Sequence, residues 1–305
     1  MALGLGYASA MAGGPAQVIS ISHGGLPTQS WAKTVNDAYE RGAVIVAASG
    51  DNYDGLPTRH VVYPARFQRV IAACGVTFDG SAYTQPAFVV QGNYGPDSVM
   101  TEALAAYTPN VLWARGVAPA EADHSTVEFS GGGTSASTPQ IAAAAALWLA
   151  KWGARCAGKP PWWCVEALRA ALFESASKPA GMAAYFGNGT LQARAAQDDA
   201  LVNAILARNL TMAPAAQVSF PFLRILLGLP EPDAQNDEQQ MYDTEAAQIA
   251  MRFGTEFEAT LHHLPMDTAF NVQRTLLDRF IASPLTSPTL RMFLERRREA
   301  LTAQQ

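Results

Sequence analysis

Short, wholly apolar runs alternate along this chain with segments whose apolar residues recur at helical spacing. Ala43-Val44-Ile45-Val46-Ala47-Ala48 and Val70-Ile71-Ala72-Ala73-Cys74-Gly75-Val76 carry no charged residue. Such runs predict strands covered on both faces, inside a parallel sheet. Gln17-Val18-Ile19-Ser20-Ile21-Ser22 predicts a further strand, stopped by His23-Gly24-Gly25. Over residues 28–41 the spacing of Trp31, Val35, Ala38 and Tyr39 is helical, and Gly42 supplies the stop. Residues 1–14 read as a small-residue helix ending at Gly13-Gly14, and Val165 to Leu172 as another helix. Strand, helix, strand, loop, strand is the rhythm of an α/β protein. In such sheets ligands bind beyond the carboxyl ends of the strands. Ser22-His23-Gly24-Gly25 and the polar loop starting Ser49-Gly50-Asp51-Asn52 both fall there.

The pattern changes at about residue 200. Residues 218–228 form an apolar helix candidate broken by Pro221, and 230–240 a polar, acidic linker. Ile249, Phe253, Phe257 and Leu261 make one stripe of an amphipathic helix; Val272, Leu276, Leu277 and Phe280 mark a second, and Leu290, Phe293 and Leu294 a third. Residues 1–200 are therefore expected to form the sheet domain and 201–305 a small helical extension. His262 and His263 are neighbours on a helix, about 100° apart, and are read as surface rather than as a metal pair. Arg296-Arg297-Arg298 is read as the solvated face of the last helix.

Composition narrows the function classes. Hydrophobic residues make up 49% and charged residues 15%, ample for a buried core. A formal net charge of -5, with no basic cluster apart from Arg296-Arg297-Arg298, argues against nucleic-acid binding. No apolar run is long enough to span a membrane. The first positive residue is Lys33 and glycines interrupt the apolar start, so Met1 to Ala10 is not read as a signal peptide. Cys74 lies in an apolar run and is expected to be a buried thiol. Cys156 and Cys164 flank a tight loop and could pair or pack as free thiols. No Cys or His spacing suits a metal.

The densest chemistry is in Ser130-Gly131-Gly132-Gly133-Thr134-Ser135-Ala136-Ser137-Thr138-Pro139-Gln140, which leads into an alanine-rich segment ending Leu147-Trp148. A helix is expected to start at or near Ser135, with Pro139 close to its start, where a missing N–H costs little. That places one hydroxyl among the unpaired N–H groups of a helix N-terminus, where negative charge is favoured. The arrangement suits a serine nucleophile whose attack creates an oxyanion. An ordinary Ser or Thr cap would look similar on local grounds.

Gly133-Thr134-Ser135-Ala136-Ser137-Thr138-Pro139 resembles the nucleophile motif of the subtilisin-like serine proteases, the subtilases. Val18 to Gly25 resembles that family's substrate-binding strand and turn. Val46 to Asn52 resembles the strand ending in the oxyanion residue. Tyr63-Pro64-Ala65, followed by Val70-Ile71-Ala72, resembles the wall of the specificity pocket and the next strand. Tyr185-Phe186-Gly187-Asn188-Gly189-Thr190-Leu191-Gln192-Ala193 resembles the family's closing turn and helix. The likeness covers roughly residues 1–200. It implies a three-layer α/β/α fold of the subtilisin type, incomplete at its amino end, and an endopeptidase acting through an acyl-enzyme on Ser135. It implies substrate contacts at Ser22, His23, Gly24, Gly25, Ser49, Gly50, Val62, Pro64 and Ala65, with Val62 narrowing the pocket floor. A peptide or protein substrate follows. No cofactor is identifiable, and calcium enters only as something the family allows. Members are mostly exported, which points outside the cytoplasm without fixing a location.

Two departures stand out. Subtilases place Asn directly after the glycine matching Gly50; here Asp51 stands there, with Asn52 next. An ionised aspartate only accepts hydrogen bonds and repels an oxyanion. It donates only when burial raises its pKa well above about 3.9. A one-residue shift of the loop would instead bring Asn52 into the role. The sedolisins, acid-active serine peptidases, carry Asp there and have a nucleophile motif similar to that around Ser135; they are the alternative enzyme. The second departure is the base. The family's Asp and His precede the region matching residue 1, and His23, His60 and His124 sit in no comparable setting. The expectation is a chain inactive alone, its Asp and His supplied by an amino-terminal segment beside the strand at 17–22. A non-catalytic peptide binder is the other alternative.

Overall fold

The computed structural model describes residues 2–11, 16–25, 29–53, 61–84, 90–95, 97–114, 127–216 and 269–302, with Tyr242, Glu245, Ala246 and Ile249. A first helix, α1 (Ala2–Ala8), is followed by β1 (Val18–Ile21), α2 (Gln29–Glu40) and β2 (Val44–Ala48). Next come β3 (Asp51–Tyr53), β4 (Ile71–Val76), β5 (Val90–Gly92), α3 (Asp97–Met100) and β6 (Ala103–Tyr107). A hairpin of β7 (Val111–Ala114) and β8 (Val127–Gly131) leads into α4 (Gly133–Trp152). The order closes with α5 (Pro161–Ser175), α6 (Ala183–Phe186) and α7 (Asp199–Leu206). α1 ends at Ala8, short of the Gly13-Gly14 stop expected from sequence; Ser9 and Ala10 turn instead, with Ser9 Oγ donating back to the Gly6 carbonyl.

Four strands form the parallel sheet, in the order β1-β2-β4-β6. The apolar runs behave as their composition requires: every residue of β2 and β4 is buried. Alternate strand positions serve opposite faces. Val44, Val46, Ile71, Ala73, Leu104 and Ala106 share one core with α4 and α5. On the other face Cys74 meets the Asn93 carbonyl, and Ala103 lies against the turn at Gly187. α4 crosses all four strands. Its Ala142, Ala144 and Ala145 are buried, and side chains this small let the helix lie close while Trp148, fully buried, fills the volume behind. β6 is not a bare edge: Ala105 N–H donates to Gly189 O, and Leu191 N–H donates to Ala105 O. β1 forms the other edge.

Cys156 and Cys164 form a disulfide joining the end of α4 to the first turn of α5. Cys74 is a buried free thiol, as expected. The helix beginning at Asp199, beside the boundary expected at 200, packs on α5. The chain divides into two compact units, Met1–Gln217 and Val218–Gln305. The second contains α8 (Ala269–Ala282) and α9 (Pro288–Thr302), which pack together. Leu277, Phe280, Leu290 and Leu294 are buried there, as their stripes predict. The candidates at 218–228 and 230–240, with Phe253, Phe257, Leu261, His262 and His263, lie outside the described residues. Among the described residues no helix is long and apolar enough to cross a membrane, and no cluster suits a metal ion.

A buried ionic network ties the helices to the turn before β4. Arg169, only 5% exposed, pairs with Glu102 and, at 3.0 Å, with Glu166, and donates to the Gln68 carbonyl. Tyr39 donates its hydroxyl proton to Glu166 at 2.7 Å. Burial pulls the Arg169 pKa down to about 10, so the guanidinium stays charged near neutrality. Removing one partner of such a group strands the others without compensation. Arg169→Ala is expected to lower the unfolding free energy by about 3–5 kcal/mol in urea titrations. A loss under about 1 kcal/mol, the scale of an exposed pair, would contradict this role for the network.

Candidate active site

The carboxyl ends of β1, β2 and β6 converge on the first turn of α4, and each supplies a partner to it. Gly132 is the N-cap, with no side-chain capping bond of its own. The helix begins at Gly133, two residues before the start expected from the motif. Thr134 N–H donates to Asp51 Oδ1 at 2.7 Å, so the cap comes from β3 rather than from the helix's own sequence. Gly50 N–H donates to Thr134 Oγ1, and Thr134 Oγ1 faces the Gly50 carbonyl, both at 3.2 Å. From the β6 end, Thr108 Oγ1 donates to Gly133 O at 2.9 Å, and Gln140 Nε2 donates to Tyr107 O at 2.8 Å. Ser137 Oγ donates to Ala106 O at 3.0 Å. Thr134, Ser137 and Thr138 are fully buried.

Ser135 is the half-buried member of this turn, partly open to solvent. Its Oγ donates to the Ser22 carbonyl at 3.4 Å. Ser22 Oγ returns a bond to the Ser135 carbonyl at 2.8 Å. Pro139 explains the second bond. It lies seven residues into α4, deeper than expected from sequence. Having no N–H, it leaves the carbonyl four residues earlier, that of Ser135, without its helical donor. The Ser22 hydroxyl takes that place. The proline thus ties the serine to the end of β1 instead of breaking the helix.

The other expected contacts sort by depth. Gly24 and Gly50 face the Val62 side chain. A Cβ on Gly24 would overlap Val62 Cγ2, and one on Gly50 would stand 2.9 Å from it. The Val62 isopropyl group therefore fills the space both glycines leave. Pro64 and Ala65 are buried behind it. Gly25 and Tyr63 exchange both backbone bonds, at 2.8 and 3.2 Å, so Gly25 is already paired. Ser49 is fully buried, its N–H donates to Ala73 O and its carbonyl accepts from Val62 N–H, so it braces the segment that carries Val62. Burial pushes the neighbouring Cys74 thiol up to about 12, with the Ser49 hydroxyl pulling the other way. Asn93, which sequence reasoning missed, is buried beside Gly50 with neither amide atom bonded to a described residue. Only a structure reveals it, since nothing in its local sequence marks the position. His23 is exposed beside Ser22, while His60 and His124 lie outside the described residues.

Asp51 and Asn52, expected from sequence as a loop, are on β3, which pairs antiparallel with β5; Asp51 is opposite Gly92 and Asn52 opposite Gln91. A loop adjoining a glycine-rich turn can still zip into a short ladder when a second strand passes. Burial raises the Asp51 pKa above its ordinary 3.8, while Thr134 N–H, the Thr134 hydroxyl and Ser135 N–H draw it partway back.

Comparison with known proteins agrees with the fold. The sequence profile of the subtilase family matches residues 4–189. Among solved structures, the patellamide maturation protease PatA is similar at 22% identity and a TM-score of 0.51, covering 67% of this chain and 68% of that one. The prenylagaramide maturation protease PagA is similar at 21% identity and a TM-score of 0.50, covering 65% and 67%. A mutant of the PatA protease domain gives 21% and 0.50, and there the chain spans 64% of the other protein. At such identities these structures speak for the fold. No curated protein matches the chain.

The Asp51 shift makes stability depend on pH. The native protein holds this proton more tightly than the unfolded chain does. The stabilisation is fully present below pH 3.8, the unfolded value, and is lost as pH rises through the native one. Asp51→Asn keeps an acceptor for Thr134 N–H and removes the buried charge. It is expected to raise the melting temperature at pH 7 by roughly 2–4 °C, the effect of about 1 kcal/mol in a domain of this size. Below pH 3.8 the two proteins should melt together. Circular-dichroism melts across pH check this; a variant that melts lower at neutral pH would contradict it.

Proposed function

The chain belongs to the subtilase family, and from that membership we propose that it is a serine-type endopeptidase unit whose nucleophile is Ser135. The observation that carries the reading is the placement of Ser135 in the first turn of α4, partly open to solvent, with its hydroxyl 3.4 Å from the Ser22 carbonyl. In this reading Ser135 Oγ forms a bond to the carbon of the scissile carbonyl, and the carbonyl electron pair moves onto oxygen. The resulting oxyanion draws on the Ser135 N–H and on a second donor near Asp51 or Asn52. Collapse restores the carbonyl, breaks the C–N bond and releases the amine, leaving an acyl-enzyme that water hydrolyses. The proton acceptor and the carboxylate that orients it come from a segment outside these residues, adjoining β1. The isolated chain then turns over peptide poorly.

An extended substrate pairs along Ser22, His23 and Gly24 as an added strand. Gly25 is already committed to Tyr63. Val62 fills the space between Gly24 and Gly50, so the residue before the cleaved bond has a small side chain. A second reading has one observation behind it. The Asp51 carboxylate beside the Ser135 amide suits a module that binds peptide without cutting it.

Peptidyl diphenyl phosphonates test the assignment. Ser135 Oγ forms a bond to phosphorus and phenoxide leaves with the displaced electron pair. Mass spectrometry of the modified chain is expected to place the adduct on Ser135, slowly and not in Ser135→Ala. A probe built on alanine should react faster than one built on phenylalanine, and Val62→Gly should narrow the difference. An adduct on another residue, or none after prolonged exposure, would contradict the nucleophile assignment.

A further inference from the structure

A carboxyl group already caps the helix end beside Ser135. Asp51 Oδ1 lies 2.7 Å from Thr134 N, one residue before Ser135. Gly133 makes the room. Its φ of +69° is a left-handed conformation, and a Cβ there would come within 2.5 Å of Asp51 Oδ2. Both sides of the contact are built into regular structure. β3 fixes Asp51 by pairing with β5, and the Thr134 hydroxyl is locked to Gly50 on the same strand turn. The groups facing the carboxylate from α4 are Gly133, Thr134 and Ser135, none of which titrates in the carboxylate range; from its own strand pair it has Gly50 and Gly92. No charged side chain among the described residues contributes to its shift.

We propose that the Asp51 carboxylate is a built-in competitor for the oxyanion position: it caps the Thr134 N–H at the helix end that carries Ser135, and a tetrahedral anion on Ser135 forms only when that carboxylate is displaced or neutral. The inference rests on Ser135 being the nucleophile. Charge supports it, because two anions at one helix end repel, and a carboxylate offers acceptors where the reaction needs donors. Burial keeps the neutral form of Asp51 within closer reach than in water.

Phenylboronic acid titrated into the full chain at pH 7.5 tests this. Ser135 Oγ adds to the trigonal boron, one O–B bond forms, the hydroxyl proton leaves to solvent, and boron becomes a tetrahedral anion. No other bond breaks. Calorimetry gives the affinity, and boron NMR reports the tetrahedral state. Asp51→Asn keeps the shape, removes the charge and adds an amide donor. Asp51→Ala removes the carboxylate without adding a donor. Both are expected to bind about 10- to 100-fold more tightly than the native chain, the worth of one charge-assisted hydrogen bond. Adding Ser135→Ala to Asp51→Asn should abolish the tetrahedral signal. Equal affinity in the native chain and both variants, or a gain in Asp51→Asn alone, would overturn the inference while Ser135 stands. Absence of a tetrahedral adduct in every protein would overturn the inference and the nucleophile assignment together.

Discussion

The first turn of α4 must satisfy backbone groups that the helix itself cannot, and the site is arranged around how it does so. Its own N-cap, Gly132, offers no side chain. The Asp51 carboxylate takes the Thr134 N–H instead, from a strand 83 residues away in sequence. A side-chain cap contributes about 1 kcal/mol, and a negative charge at a helix N-terminus a further 0.3–1 kcal/mol or so. Against this stands the cost of removing the carboxylate from water. The raised pKa of Asp51 says that desolvation is the larger effect. The cap therefore holds the helix while leaving the carboxylate closer to its neutral form than solvent would.

The carbonyl side of the same turn has a matching solution. Pro139 removes one helical donor, and Ser22 replaces it. One proline thus couples the end of β1 to the serine's own backbone, and the serine hydroxyl answers on the Ser22 carbonyl. Thr108 and Ser137 anchor the turn to the end of β6. The alanines of α4 allow this convergence, since bulkier side chains would lift the helix from the sheet and away from all three strand ends. Placement of Ser135 is accordingly a property of sheet, helix packing and cap together, as a rigid scaffold fixes an exposed turn.

Much of this was legible in the sequence, and the limits are physical. The apolar runs of β2 and β4 announced a two-sided sheet because no other environment buries every residue of a strand. The glycine-rich approach to Ser135 announced a helix N-terminus. The identity of the cap was not legible. Local sequence places Asp51 in a polar loop, and only the passage of β5 turns that loop into a strand and aims the carboxylate at α4. Pro139 misled in a similar way: propensity puts proline at a helix start, but a hydroxyl from Ser22 made a deeper position tolerable. Val62 was read as narrowing a pocket, and the structure adds that its side chain fills the gap between Gly24 and Gly50. Asn93 gave no signal, since its burial arises from tertiary contacts alone.

The Asp51 carboxyl group grips the backbone of the helix that carries Ser135. Proton–nitrogen NMR spectra of the labelled chain, followed across acidic pH, test it most directly. The Thr134 and Ser135 amide protons are expected to move together with one midpoint, above the ordinary carboxylate value of 3.8, and the movement is expected to disappear in Asp51→Asn. Amides that ignore pH, or that titrate at or below 3.8, would contradict it.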